Sequence, residues 1–248
     1  MQRFFVSQEM IDEENMRIRL TGEDVNHIKN VLRMKAGDEL WVSDGGRYEY
    51  HSQILTVMTD EILLEILYRQ EPDYELPSKI WLFQGLPKGD KMELIIQKAV
   101  ELGVYHIVPV RMKRCVMKLD EKRGAKKAER WQQIAESAAK QSRRMLVPEV
   151  SAPVSFAEAL RIAGPIDKVL APYELAKGMS ETRTVLDGIK PGESVGIFIG
   201  PEGGFDPQEI EELEKCGAAP VTLGHRILRT ETAGMTLLSV LMFKLETD

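Results

Sequence analysis

The chain has 248 residues, of which 43% are apolar and 29% are charged, and its formal net charge is −6. These are the proportions of an ordinary globular protein. No stretch approaches the roughly 20 apolar residues that span a bilayer, and the N-terminus lacks a signal-peptide core. The two cysteines, Cys115 and Cys216, and the four histidines show no metal-ligand spacing. We therefore predict a cytoplasmic protein without a membrane segment, a disulfide framework or a metal site.

The first seventy residues are predicted to form short β-strands. Alternating or β-rich runs occur at 3–6, 16–20, 38–42, 48–57 and 62–68. Asp44-Gly45-Gly46 is a hairpin-turn signal, and one short helix is predicted near 24–33. The pattern indicates a small, mostly antiparallel β-barrel. A polar segment with two prolines follows at 70–77, and we place a domain boundary there, giving domains of residues 1–72 and 73–248.

From residue 79 onward, strands and helices alternate. Strands are predicted at 79–84, 104–110, 168–171, 194–199 and 219–223, and a long helix at 126–143. An earlier helix is predicted to begin at Asp90, with Glu93 completing a capping box, and to end near 102. Another begins at Asp206-Pro207, which combines a capping residue with proline at the first helical position. This alternation predicts a mostly parallel sheet with helices on its faces.

The segment 111–130 is basic although the whole chain is acidic. It holds nine basic and three acidic side chains, a net charge of +6, and Arg143 and Arg144 follow it. A local basic face can bind phosphates even when the molecule as a whole is negative. A solvated, lysine-rich helix is an equally good interpretation of this segment taken alone.

Two unusual loops follow the last two predicted strands. The first is Gly200-Pro201-Glu202-Gly203-Gly204-Phe205, and the second runs from 223 to 233 as LGHRILRTETA. Such loops at the carboxyl ends of parallel strands form ligand sites, and their glycines let a ligand approach the backbone closely. Neither loop has the spacing of a triphosphate or dinucleotide site. A pocket for a flat heterocycle is therefore predicted, with a simple tight turn at the first loop as the alternative.

These two motifs resemble the ribosomal RNA small subunit methyltransferase E family, SPOUT-class enzymes that methylate N3 of one uridine in 16S rRNA. The resemblance extends to 86–93, 97–103 and 138–148, and the N-terminal domain is similar to the family's PUA-like RNA-binding domain. Lys140 departs from the pattern, in which an acidic residue is expected. The resemblance implies a trefoil-knotted, mostly parallel α/β sheet, S-adenosylmethionine as cofactor, and a homodimer with its site near the subunit interface.

The resemblance also implies site residues. The cofactor would be held by Leu170, Ala171, Pro172, Phe198, Ile199, Gly200, Pro201, Gly203, Leu223, Gly224, Arg226, Ile227, Leu228, Thr232 and Ala233. Glu202 or Glu231 would accept the N3 proton, and Arg229 would stabilise the uracil anion. An equally open interpretation is that Arg226 and Arg229 pair with these glutamates to brace the fold. The RNA contacts would be Arg3, Arg33, Lys88, Lys91, Arg111, Lys113, Arg114, Arg143 and Arg144.

The expected reaction is methylation of 16S rRNA, with the assembled 30S subunit as substrate. Two alternatives stay open at this point. One is another SPOUT methyltransferase that acts on tRNA or 23S rRNA. The other is a non-catalytic ribosome-assembly factor, although the intact glycines of both loops speak against a lost pocket.

Overall fold

A computed structural model describes residues 2–176 and 178–246. The chain forms two compact units. The first comprises Met1–Glu75 with Ala139–Val147, and the second comprises Leu76–Ala138 with Pro148–Asp248. The predicted domains are 1–72 and 73–248, and this prediction did not include the segment Ala139–Val147 in the first domain. The assignment of domains stays a prediction. Among the described residues, no helix combines the length and apolar composition needed to traverse a bilayer.

The first unit is built on one curled, six-stranded sheet. Its strands are β1 (Arg3–Phe5), β2 (Ile11–Asp12), β3 (Arg17–Thr21), β4 (Glu39–Ser43), β5 (Glu49–Val57) and β6 (Glu61–Gln70). Their spatial order is β1-β4-β5-β6-β3-β2, and only β1 and β4 are parallel. Alternate side chains of β6 are buried, as expected when one face of a strand covers a core. The predicted helix is a short α1 (Glu23–Asn26) that continues as a π-helical turn, His27–Val31.

The returning segment Ala139–Val147 is bound to this sheet by polar contacts. Arg144 pairs with Glu75 at 2.6 Å, and Ser43 Oγ donates to the carbonyl of Met145 at 3.0 Å. Lys140 Nζ lies 2.9 Å from Asp24. This contact gives a physical reason for the departure at residue 140, because an acidic side chain there would face the Asp24 carboxylate.

The second unit holds a seven-stranded, all-parallel sheet. Its strands are β7 (Ile80–Gly85), β8 (His106–Arg111), β9 (Glu149–Val150), β10 (Val154–Ser155), β11 (Lys168–Pro172), β12 (Val195–Ile199) and β13 (Ala219–Val221). The order is β10-β8-β7-β12-β11-β13, with β9 also paired to β8. The helices are α2 (Lys91–Glu101), α3 (Glu121–Ser142), α4 (Phe156–Ala163), α5 (Met179–Asp187), α6 (Pro207–Lys215) and α7 (Thr230–Leu245). The last four residues of α3, from Ala139, belong to the first unit. The predicted alternation is confirmed, although α3 begins five residues before the predicted start at 126.

The two predicted capped helix starts have different outcomes. At α6 the Asp206 carboxylate accepts from Gln208 N at 3.2 Å, and Glu209 accepts from Asp206 N at 2.9 Å. The box at α2 is wrong, since the Asp90 side chain makes no capping bond. Asp90 has φ −97° and ψ 9°, whereas a capping residue needs an extended backbone for its side chain to reach forward.

Helix α7 returns from the edge of the sheet to its middle. It follows β13, the edge strand beyond β11, yet it packs against α2 and β12. The chain must therefore cross β11 again and pass the connection that leads from β11 through α5 to β12. This path agrees with the trefoil-knotted α/β class implied by the resemblance, which is exceptional among proteins.

Candidate active site

The loops that follow β11, β12 and β13 line one cavity of about 690 Å³. They share an edge because all three strands are parallel and β11 lies between the other two. The two glycine-containing loops recognised in the sequence therefore meet, and the loop 172–175 closes the third side. This is the edge at which open parallel sheets bind their ligands.

Most of the residues predicted to hold the cofactor line this cavity: Pro172, Ile199, Gly200, Pro201, Gly203, Leu223, Gly224, Arg226, Ile227, Leu228 and Ala233. Leu170 and Ala171 lie instead in the interior of β11, each 1% exposed. Phe198 is stacked on Phe83 with ring centroids 4.3 Å apart, so its side chain belongs to the core. Thr232 is exposed on α7, outside the lining.

Glycine is required where β7 meets the loop after β12. A Cβ added to Gly85 would lie 2.7 Å from Pro201 N and 3.0 Å from the carbonyl of Ile199. At Gly204 and Gly224 the situation is the reverse, since an added Cβ would meet no atom within 4 Å. Both have positive φ, 69° and 108°, and both border the cavity. The cavity therefore has open space beside backbone that only glycine adopts readily.

A buried hydrogen-bond network that the sequence analysis missed ties the loop after β12 to α7. Thr230 Oγ1 donates to the carbonyl of Gly200 at 2.6 Å, and Gln84 Nε2 donates to the same hydroxyl at 2.9 Å. Gln84 is fully buried at the end of β7. A glutamine inside an otherwise apolar strand was the available signal, because a buried amide needs partners.

The acidic groups of the site converge on one lysine. Lys91 Nζ lies 3.1 Å from Glu202 and 3.3 Å from Glu231. Partial burial alone would raise the pKa of Glu202, but the hydrogen bonds from Lys88 N and Lys91 outweigh it and lower that pKa below its ordinary value. The same contact with Glu202 raises the pKa of Lys91. The Glu202 carboxylate thus carries its charge beside a firmly protonated ammonium.

The two arginines of the second loop, Arg226 and Arg229, border the cavity and are exposed. Within residues 2–176 and 178–246, neither forms an ion pair with Glu202 or Glu231, which contact Lys91 instead. The bracing role considered for these arginines thus has no contact to support it. Their cationic groups stay available to a bound anion.

The predicted RNA contacts are placed in several environments. Arg33, Lys88, Arg111, Lys113, Arg114 and Arg143 are exposed. Lys91 and Arg114 border the cavity, and Arg114 Nη1 donates to the carbonyl of Gly203 at 3.1 Å. Arg3 and Arg144 are buried, paired with Glu49 and Glu75 respectively, so they hold the first unit together and do not present a free charge.

Comparison with known proteins places this architecture in a family. An RNA methyltransferase domain matches residues 74–242, and an RNA methyltransferase PUA domain matches residues 20–67. The ribosomal RNA small subunit methyltransferase E of Bacillus subtilis is 38% identical over 99% of this chain and 98% of its own. The protein of the same name from Mesomycoplasma hyopneumoniae is 36% identical over 96% of this chain and 98% of its own.

Two solved structures agree over almost the full length. A ribosomal RNA small subunit methyltransferase E from Neisseria gonorrhoeae, bound to S-adenosylmethionine, is 31% identical with a TM-score of 0.84, covering 98% of each chain. A methyltransferase from Legionella pneumophila, also in complex with S-adenosylmethionine, is 34% identical with a TM-score of 0.85, covering 98% of this chain and 97% of that one. The chain belongs to the ribosomal RNA small subunit methyltransferase E family, whose members are RNA methyltransferases.

Proposed function

We propose that this chain transfers a methyl group from S-adenosylmethionine to N3 of a specific uridine in 16S rRNA, with the assembled 30S subunit as its substrate. The observation that carries the proposal is the single cavity formed by the two glycine-containing loops at the edge of the parallel sheet. The names of the relatives support a small-subunit rRNA substrate, and two similar structures hold S-adenosylmethionine.

The residues present fit this cofactor. Gly204 and Gly224 leave open space beside the backbone, and Leu223 and Leu228 supply apolar surface for a flat ring. Ile227, in the same loop, is 86% exposed and borders the cavity, so its apolar side chain is accessible to a bound ligand. When bound, S-adenosylmethionine would supply an electrophilic methyl group on a sulfonium centre.

The polar side chains would act on the uridine. N3 carries a proton that has to leave before or during methylation, and the ring oxygens then gain negative charge. Arg229, which borders the cavity, would stabilise that charge. Glu202 or Glu231 would accept the proton. Both carboxylates contact Lys91, and Glu202 also accepts from Lys88 N, so Glu231 has fewer contacts among the described residues and is the better candidate.

The substrate RNA would be oriented by phosphate contacts that do not read sequence. The exposed side chains of Lys88, Arg111, Lys113 and Arg114 belong to the same unit as the cavity. The domain 1–72 would act as a second, PUA-like RNA-binding module, in agreement with the family match over 20–67. A cytoplasmic location stays a prediction.

The protein is further proposed to act as a homodimer through α7. Val240 and Phe243 are 42% and 86% exposed on this helix, whose buried face carries Leu237, Leu238 and Leu241, and Leu94 of the adjoining α2 is 44% exposed. We expect Phe243→Glu to be monomeric in sedimentation equilibrium, since a charge there would be desolvated in an apolar interface. Lys215→Glu, at the exposed end of α6 and outside α7, is the comparison and should stay dimeric. A monomeric unmodified protein would contradict the dimer.

The proposed function is tested with labelled S-adenosylmethionine and a panel of RNAs. Label should enter 30S subunits and not 50S subunits or tRNA. Label in 23S rRNA or tRNA would favour the other SPOUT activities. Calorimetry with S-adenosylmethionine runs in parallel, because a protein that neither binds the cofactor nor transfers label would be the non-catalytic assembly factor.

A further inference from the structure

Lys91 connects three separate elements of the site. It is the first residue of α2, and its ammonium reaches Glu202 in the loop after β12 and Glu231 in the first turn of α7. The side chain is 30% exposed, against 25% for Glu202 and 16% for Glu231. The sequence alone had suggested a contact with RNA phosphate, but two carboxylates already occupy this ammonium.

The arrangement is sensitive to the loss of the cation. Two carboxylates that contact one ammonium at 3.1 Å and 3.3 Å would face each other without it. Two like charges brought together by one shared cation disfavour simultaneous ionisation once that cation is removed. No other described side chain pairs with Glu202 or Glu231, and Arg114 reaches this loop only at the carbonyl of Gly203. The charge balance of the pair therefore depends on residue 91.

We propose that Lys91 is a positioning residue: its ammonium holds Glu202 and Glu231 together and thereby fixes the Pro201–Gly204 loop against the start of α7. This deepens the proposed function and rests on it for the identity of the ligand. The loop borders the cavity on one side, and α7 borders it through Thr230 and Ala233. Lys91 also borders the cavity, and releasing its two contacts would loosen two of the cavity's walls.

The first test uses the protein without ligand, as thermal unfolding of Lys91→Met between pH 5 and pH 8. In Lys91→Met, repulsion between the Glu202 and Glu231 carboxylates raises the pKa of one of them in the folded state. Stability from such a group is present below its raised pKa and is lost as pH rises through it. We therefore expect the deficit in Tm relative to the unmodified protein to grow by roughly 3 °C across this range.

Two comparison variants make this result specific. Lys91→Arg keeps the cation and should restore most of the pH profile. Lys98→Met removes an ammonium from the same helix, where Lys98 pairs with Glu101 at 2.9 Å, and its deficit should not change with pH in this range. The nearby Cys115 thiol does not interfere, because burial raises its pKa and it stays neutral over these pH values. Equal pH profiles for Lys91→Met and Lys98→Met would overturn the proposal.

The second test measures binding of S-adenosylmethionine by calorimetry. We expect about tenfold weaker binding by Lys91→Met at pH 8 and recovery towards pH 6, where one carboxylate is protonated and the repulsion is relieved. Weakened binding that does not depend on pH would contradict the charge-based role. If the unmodified protein binds no cofactor, the proposed function fails, while the unfolding experiment still decides whether Lys91 holds the two carboxylates.

Discussion

The proposed chemical role of Arg229 can be tested without disturbing the fold. It precedes α7 with an extended backbone, φ −67° and ψ 155°, and its side chain makes no capping bond. Its guanidinium is exposed at the cavity and is not paired with Glu202 or Glu231. The side chain can therefore be removed without breaking a contact on which the fold depends.

We expect Arg229→Ala to lower the rate of methyl transfer about 100-fold, the loss that typically follows removal of one group that stabilises developing charge. Cofactor affinity and Tm should stay close to those of the unmodified protein, because no structural contact is lost. Single-turnover kinetics on 30S subunits provides the rate. Arg183→Ala, an exposed arginine on α5, is the matched control and should be fully active. An active Arg229→Ala enzyme would remove Arg229 from the mechanism.

At the scale of elements, the site depends on a close approach between the end of β7 and the loop after β12. The strands are parallel neighbours, and Gly85 is the last residue of β7. A methyl group at this position would collide with the backbone of Pro201, which cannot rotate away as a side chain can. The approach sets the position of the whole Gly200–Phe205 loop relative to Gln84 and Thr230.

Gly85→Ala should therefore lower the free energy of unfolding by about 1–3 kcal/mol, the usual cost of overpacking, and should weaken cofactor binding as the loop is displaced. Gly188→Ala is the control, because its added Cβ would make ordinary contact at 3.4 Å with the carbonyl of Val185. That variant should change stability by less than about 1 kcal/mol. Urea unfolding measures the stability of Gly85→Ala and of Gly188→Ala. Equal free energies of unfolding for the two variants would show that the loop accommodates a methyl group at residue 85.

The sequence was informative about elements and less so about side-chain direction. Glycines and apolar runs predicted both loops, because they restrict the backbone locally, and most of the cavity lining follows from them. Both Phe198 and Ile199 were predicted to line the cavity. Adjacent residues of a strand point to opposite faces, and the local pattern does not say which of the two faces the cavity. The pairing of Arg3 with Glu49 and of Lys91 with Glu231 joins residues far apart in the chain, so no local pattern reports it.

At the scale of the whole molecule, charge is distributed unevenly. The chain carries −6 overall, yet segment 111–130 carries +6, and most of its basic side chains are exposed. Three of them have acidic partners within 4 Å: Lys113 with Asp206, Arg123 with Asp120 and Arg130 with Glu93. Binding of RNA to such a surface releases counterions, so affinity should fall steeply with salt.

Arg111→Ala should reduce the slope of log affinity against log salt concentration by about one, as expected for the loss of one phosphate contact. Filter binding to 30S subunits between 50 and 300 mM salt, roughly the range over which such contacts weaken, measures this slope. Lys215→Ala, at the end of α6, is the control and should leave it unchanged. A slope near zero for the unmodified protein would exclude phosphate contacts as the source of affinity.

The most direct test of the central claim is the chemical identity and position of the product. Unmodified 30S subunits are incubated with the protein and S-adenosylmethionine, and the digested 16S rRNA is analysed by mass spectrometry for methylated nucleosides. We predict a single N3-methyluridine at one position, formed about 100-fold more slowly when Arg229→Ala replaces the unmodified enzyme. A different methylated nucleoside, or methylation spread over many uridines, would contradict it.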